Sequence, residues 1–139
     1  MPERCKDHAR LTCLDEVIQL HQFLGAWLRG DTGEPGGIPL RLANALSDDF
    51  CVIHPSGLSD TRDKVVANFR SAWGTRPADF YIQITDIEHR FSFDAIQVIA
   101  YTETHHEPVP SQRRSTAILE SRNRQRPKWC YLHETRIVL

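Results

Sequence analysis

Trp129-Cys130-Tyr131-Leu132-His133-Glu134-Thr135-Arg136-Ile137 decides the fold of this chain. Bulky and polar residues alternate here with the period of a β-strand, not of a helix. Trp129, Tyr131, His133, Thr135 and Ile137 share one parity; Cys130, Leu132, Glu134, Arg136 and Val138 share the other. Two aromatics, an imidazole and a hydroxyl on one face suit the wall of a half-apolar pocket better than a plain core or a solvent face. His133 is therefore expected to face a cavity and to hydrogen-bond Glu103 or Thr135, with Trp129 and Tyr131 as the apolar wall. The alternative for His133 is a core histidine bonded to a neighbouring strand.

Outward from this strand, the turn Asn123–Pro127 leads back to another strand, Arg113–Arg122. Phe80–Phe91 and Ala95–Glu107 form a further pair around the turn Ser92-Phe93-Asp94, and Pro108 and Pro110 make the next connection a loop. Upstream the period changes. Leu14, Val17, Ile18, His21, Leu24 and Leu28 recur at helical spacing, widened by Phe23 and Trp27. Thr12 is the expected cap of this helix, Asp15 and Glu16 its dipole-complementing first turn, and Gly30 its stop. A short helix is expected after Pro39, ended by Ser47-Asp48-Asp49. Phe50–His54 reads as a short strand and Pro55-Ser56-Gly57 as its turn. A helix bracketed at its start by Asp60 and Asp63 carries Val65, Val66, Phe69, Ala72 and Trp73 to Gly74. Helices first and then long antiparallel strands make an α+β domain. Long strands curl, so the expectation is a cystatin-like curved antiparallel sheet wrapped over the N-terminal helices, a cone with a cavity. Residues 1–12 are expected to be a flexible N-terminus and 13–139 a single domain.

Composition narrows the function classes. The chain has 139 residues, 40% hydrophobic and 25% charged, with a formal net charge of −1. Near-neutrality argues against nucleic acid or an anionic membrane as the main partner. No run approaches the roughly 18 apolar residues of a membrane span, and no signal peptide is visible. Cysteines at 5, 13, 51 and 130 form no Cys-x-x-Cys, which fits free thiols and a cytoplasmic location, with a disulfide the lesser alternative. No cofactor motif is present. His105-His106-Glu107 looks like metal ligands, but neighbours in a strand point to opposite faces, so at most His105 and Glu107 could share an ion, and no metal is expected. The basic residues Arg113, Arg114, Arg122, Arg124, Arg126 and Lys128 read as a solvated hairpin rather than an RNA surface.

Two motifs carry a resemblance. Asp49-Phe50-Cys51-Val52-Ile53-His54-Pro55-Ser56-Gly57 resembles the first-strand motif, ending in x-Pro-x-Gly, of the nuclear-transport-factor-two-like superfamily. Trp129-x-x-x-His133-Glu134-Thr135 resembles the last strand of small bacterial members grouped as a domain of unknown function. That superfamily includes ketosteroid isomerases, scytalone dehydratase and SnoaL-like polyketide cyclases, so the fold alone implies little about activity. In ketosteroid isomerases the residue before Pro-x-Gly is the aspartate that moves the proton. Here it is His54, and a neutral imidazole is also a general base. The tyrosine donor those enzymes carry on the first helix is absent; the tyrosines are Tyr81, Tyr101 and Tyr131. This departure argues against steroid isomerisation.

The candidate catalytic residues are thus His54 and His133. The candidate substrate-binding residues are Trp129, Tyr131, Thr135, Tyr101, Glu103, His21 and Trp27. Tyr101 and Glu103 share a strand face, where Glu103 either orients an imidazole or pairs with Arg113 or Arg114 across the sheet. His21 lies on the helix stripe, in the cavity or as a buried structural group. His54 is either the pocket base or an inert strand-end histidine. The expected function is small-molecule binding, with proton transfer of the isomerase, dehydratase or cyclase type. The alternative is a non-catalytic dimerisation or ligand-sensing domain. A homodimer is expected through the outer sheet face, with Ile118, Leu132, Val138 and Val98 or Ile99.

Overall fold

The 27-residue helix α1 (Glu3–Arg29) lies across the concave side of one curved sheet. The computed structural model describes residues 3–106, 109–122 and 125–138. After α1 come α2 (Leu40–Ala43), β1 (Leu46–Ile53), β2 (Ser59–Thr61), α3 (Arg62–Ser71), β3 (Ile82–Phe93), β4 (Ile96–His105), β5 (Ser111–Glu120) and β6 (Lys128–Arg136). The sheet order is β2-β1-β6-β5-β4-β3. It is mixed rather than wholly antiparallel, because β1 runs parallel to β6.

Periodicity decides α1. Cys13, Val17, Leu20, Leu24 and Leu28 are buried at helical spacing. The helix begins at Glu3, so residues 3–12 continue it and Thr12 is an interior position whose hydroxyl donates to His8 O. Ile18 is exposed while Glu16 is buried, which turns the stripe slightly from the expected one. Gly30 ends the helix at φ +80°, with Asp31 N bonded to Ala26 O and Gly30 N to Trp27 O. Gly33, at φ +75°, lies against the Trp27 ring; a Cβ there would come within 2.3 Å of it.

Two local details differ from the sequence expectation. Ser47, Asp48 and Asp49 belong to β1, which starts at Leu46. Thr61, not Asp60, caps α3, accepting from Lys64 N. Asp60 sits instead in β2 opposite Val52.

The core between α1 and the sheet holds Val17, Leu20, Leu24, Phe50, Val52, Ile99, Tyr101, Ala117, Leu119 and Trp129. A second cluster joins Trp27, Leu28 and Phe80. Near β3 the expected turn is tighter than Ser92–Asp94: Phe93 pairs with Ile96, and Asp94 takes a left-handed φ of 51°.

Candidate functional site

A bulge in β6 decides which residues reach the concave face. Leu119 pairs with Trp129, but Ile118 pairs with Tyr131, so Cys130 is an extra residue. One inserted residue reverses the parity of everything after it. Trp129 points inward, and beyond the bulge Leu132 and Glu134 do. Tyr131, His133 and Thr135 turn outward, and His133 and Thr135 are exposed. The expected pocket wall of Tyr131, His133 and Thr135 is therefore corrected. His133 touches Tyr131 edge-on at 6.4 Å and does not meet Glu103. Leu132 and Ile99 move likewise, from the expected outer face to the inner one.

Trp129 faces inward but is core. Its Nε1 donates to Glu16 Oε2 at 3.0 Å, and Arg41 holds the same carboxylate at 2.6 and 3.1 Å. Trp27 is also packed, donating Nε1–H to Phe69 O. It borders an open cleft of about 510 Å³ with Gly33, Glu34, Gly37, Ile38 and Leu40, apart from the other candidates.

The remaining candidates converge. Directly paired strand residues share a face, and the pairs Tyr101–Ser115 and Ser115–Glu134 continue to His54, which follows the Ile53–His133 pair. A second row pairs Glu103 with Arg113. Polar side chains from four strands thus line one end of the cone.

His54 stands at its opening, its side chain 35% exposed. Nε2 meets Asp60 Oδ2 at 2.7 Å, while Nδ1 is 3.5 Å from Glu134 Oε1. Asp60 accepts, so Nε2 carries a hydrogen. Glu134 is buried and takes Arg113 Nη1–H on Oε2 at 3.2 Å.

Deeper in, Glu103 accepts from His21 Nε2 at 3.1 Å and from His105 Nε2 at 2.5 Å. His21 Nδ1 donates to Val17 O at 2.7 Å. A carbonyl cannot donate, so Nδ1 always bears a hydrogen and the contact with Glu103 needs a second proton. Burial works against the charge on both partners, but the ion pair prevails. His21 is held above its ordinary range despite burial, by Glu103, the Val17 carbonyl and Glu134. Glu103 is held well below the carboxylate range despite burial, by His21 and His105. Burial raises the Tyr101 hydroxyl well above its ordinary pKa, and Glu103 and Glu134 add to this. Tyr101 Oη and Ser115 Oγ are buried and, among the described residues, lack a hydrogen bond of acceptable geometry, even to each other. Each such orphan costs about 1–3 kcal/mol.

α3 packs beside β1 and β2. It buries none of its residues, although Val65, Val66 and Phe69 turn toward the core.

Asp60, Glu134, Arg113 and His105 were not among the sequence-derived site residues. In the sequence Asp60 reads as a helix bracket, and Glu134 lies on the parity opposite the expected pocket face. Arg113 reads as a surface pair to Glu103, and His105 as a metal ligand with Glu107, which lies outside the described residues. Among the described residues no three His, Cys, Asp or Glu side chains group to hold a metal ion.

No protein-family model and no curated protein matches the chain. Solved structures do. A nuclear-transport-factor-two-like protein of unknown function from Pseudomonas aeruginosa is 26% identical with a TM-score of 0.82, over 91% of this chain and 99% of that one. A nuclear-transport-factor-two-like protein from Cytophaga hutchinsonii is 17% identical at TM-score 0.66, over 99% of this chain and 100% of that one. A ketosteroid isomerase-like protein from Erwinia carotovora atroseptica is 13% identical at 0.55, over 85% and 90%. With the helix-filled curved sheet and the His54-Pro55-Ser56-Gly57 strand end, the similarity to the Pseudomonas aeruginosa protein places the chain in the nuclear-transport-factor-two-like superfamily, and the other two share its fold.

Proposed function

We propose that the chain binds a small molecule between α3 and the polar end of the sheet, and moves a proton on it with His54 as the base. The observation that carries this is the His54–Asp60 hydrogen bond of 2.7 Å at a partly open position. The Asp60 carboxylate orients the ring through Nε2–H and stabilises the imidazolium that forms, with Glu134 Oε1 3.5 Å from Nδ1. Val65, Val66 and Phe69 supply an apolar wall, and the hydroxyls of Tyr101 and Ser115 lie unpaired in the floor. Isomerisation, dehydration and cyclisation all begin with such a proton transfer. His133, on the outer face, is left out of the chemistry.

Ligands found by thermal-shift screening, then incubated in heavy water, test this. The expected result is deuterium entering an acidic C–H position with the wild type and not with His54→Gln. Equal exchange by both proteins sinks the assignment of His54.

A second reading, a non-catalytic dimerisation or ligand-sensing domain, draws support from the outer face. Phe91 and Phe93 are 64% and 76% exposed there, beside Val98, Ile118 and Tyr131. We infer a homodimer through this face, which is compatible with either function. Thiols that are free at Cys13, Cys51 and Cys130 support a cytoplasmic location, and no helix among the described residues is long and apolar enough to cross a membrane.

A further inference from the structure

β1 joins the rest of the sheet through its parallel pairing on β6, and a free cysteine stands on each side of that pairing, at Cys51 and Cys130. We propose that Cys51 and Cys130 form a reversible disulfide that ties β1 to β6 when a small disulfide oxidant is present. This goes beyond the function proposed above and does not depend on it.

Register brings the two residues together. Cys51 pairs with Tyr131, so Cys130 is its diagonal neighbour on the next strand. Adjacent strands lie roughly 4.8 Å apart and one residue advances roughly 3.3 Å, which sets the two Cα atoms about 6 Å apart. A disulfide spans Cα separations of roughly 4.4–6.8 Å. The facing agrees. Phe50 and Val52 are buried inward, so Cys51 between them points outward, as does its paired Tyr131. Asp49 and Cys51 flank the inward Phe50, which puts both on the outer side. The Cys130 thiol meets the Ser47 hydroxyl and lies near Asp49, and Ser47 Oγ bonds Asp49 Oδ1 at 2.9 Å. Cys130 therefore presents its sulfur to the outer side of β1. A regular ladder would strain a bond between neighbouring strands, but this ladder is interrupted. Between the Leu46–Trp129 and Cys51–Tyr131 pairs, β6 has Cys130 where β1 has Ser47 to Phe50. That irregularity gives the backbone freedom to meet the narrow dihedral range of an S–S bond.

Both cysteines are half-buried, within reach of a small oxidant. Burial, with the Glu120 and Asp49 carboxylates nearby, raises the Cys130 thiol above its ordinary pKa, so the first attack falls to Cys51. The Cys51 thiolate attacks one sulfur of the small disulfide. The S–S bond breaks, the released thiolate takes up the proton that Cys51 gave up, and a mixed disulfide forms. Cys130 then loses its proton and attacks the Cys51 sulfur, and the second small thiol leaves with that proton. Two protein thiols are oxidised and one small disulfide is reduced to two thiols; an excess of the thiol reverses both steps. Cys13 takes no part, since it is fully buried in the core and burial pushes its thiol up to about 11. The new bond ties the strand that leads into His54 to the strand that carries Glu134.

Fully reduced protein incubated with glutathione disulfide, quenched in acid and read by intact mass and peptide mapping, tests this. Wild type is expected to lose two hydrogens from its mass and to give one linked pair of peptides, holding Cys51 and Cys130. Cys130→Ser is expected to stop at a glutathione adduct on Cys51. In the linked protein the β1 amides are expected to exchange with heavy water more slowly than in the reduced protein, by on the order of tenfold, and excess glutathione is expected to restore both mass and exchange. A wild type that keeps a glutathione adduct without linking overturns the proposal. So does a link through Cys5 or Cys13, a link between two chains, or no reaction at all. Unchanged exchange of the β1 amides in the linked protein overturns the tie between β1 and β6.

Discussion

Glu103 is the residue on which the buried electrostatics turn. It accepts from two imidazoles at 7% side-chain exposure, and His21 beside it is 6% exposed. Glu103 is held below its ordinary value of 4.5, so its contribution to stability is present above that pH and is lost as pH falls toward the lowered value. His21 is held above 6.5, so its contribution is full below that pH and fades as pH climbs through the raised value. The pair is strongest between 4.5 and 6.5. Arg113, Glu134, His105 and Tyr101 share its field. The midpoint of thermal unfolding, followed against pH, should pass through a maximum in that window. Glu103→Gln should flatten the maximum and lower stability by about 3–5 kcal/mol, because a buried imidazolium loses its counter-charge. An unchanged profile would show that the pair does not carry the charge assigned to it. By contrast His133→Asn, at an exposed outer position, should stay within about 0.5 kcal/mol of wild type in denaturant titration.

At the scale of elements, β6 shows what the sequence could and could not say. Its strand character, its partner β5 and the inward place of Trp129 were legible, because alternation is a local signal. The bulge at Cys130 was not, since no glycine or proline marks it and an extra residue looks like any other until its pairing is known. One hidden residue thus moved His133 to the outside and Glu134 to the site. α1 was legible in its buried stripe and its Gly30 stop, yet its early turns were too polar to stand out. His54 was placed by motif, and Asp60 only by the fold, once Thr61 had taken the cap. Trp129→Ala should cost about 3–5 kcal/mol, since the ring is buried and its N–H satisfies Glu16. The loss should appear as a lower denaturant midpoint; a shift of under 1 kcal/mol would mean the core closes over the gap. Gly33→Ala should destabilise by more than about 1 kcal/mol, through the left-handed backbone and the Trp27 ring.

For the whole molecule, the exposed Phe91 and Phe93 of the outer sheet face carry the prediction. Sedimentation at micromolar concentration should give a dimer, and the double change Phe91→Asp with Phe93→Asp should give a monomer that keeps its fold. A wild type that sediments as monomer would remove the dimer. The sheet order carries another consequence. β6 lies between β1 and β5, so the strand bearing His54 has no seat until the final strand is in place. During synthesis β1 leaves the ribosome with β2 but long before β6, and its open edge must wait. The β3–β5 meander can zip up first. Closure then comes from a long-range parallel pairing, a slow event that leaves hydrogen-bonding edges exposed to other chains. Nascent chains stalled before Lys128 should be digested readily across residues 46–61, and chains extended past Arg136 should resist. The chaperone demand of this protein would then fall at the end of translation, in the interval when His54 and Glu134 have not yet met.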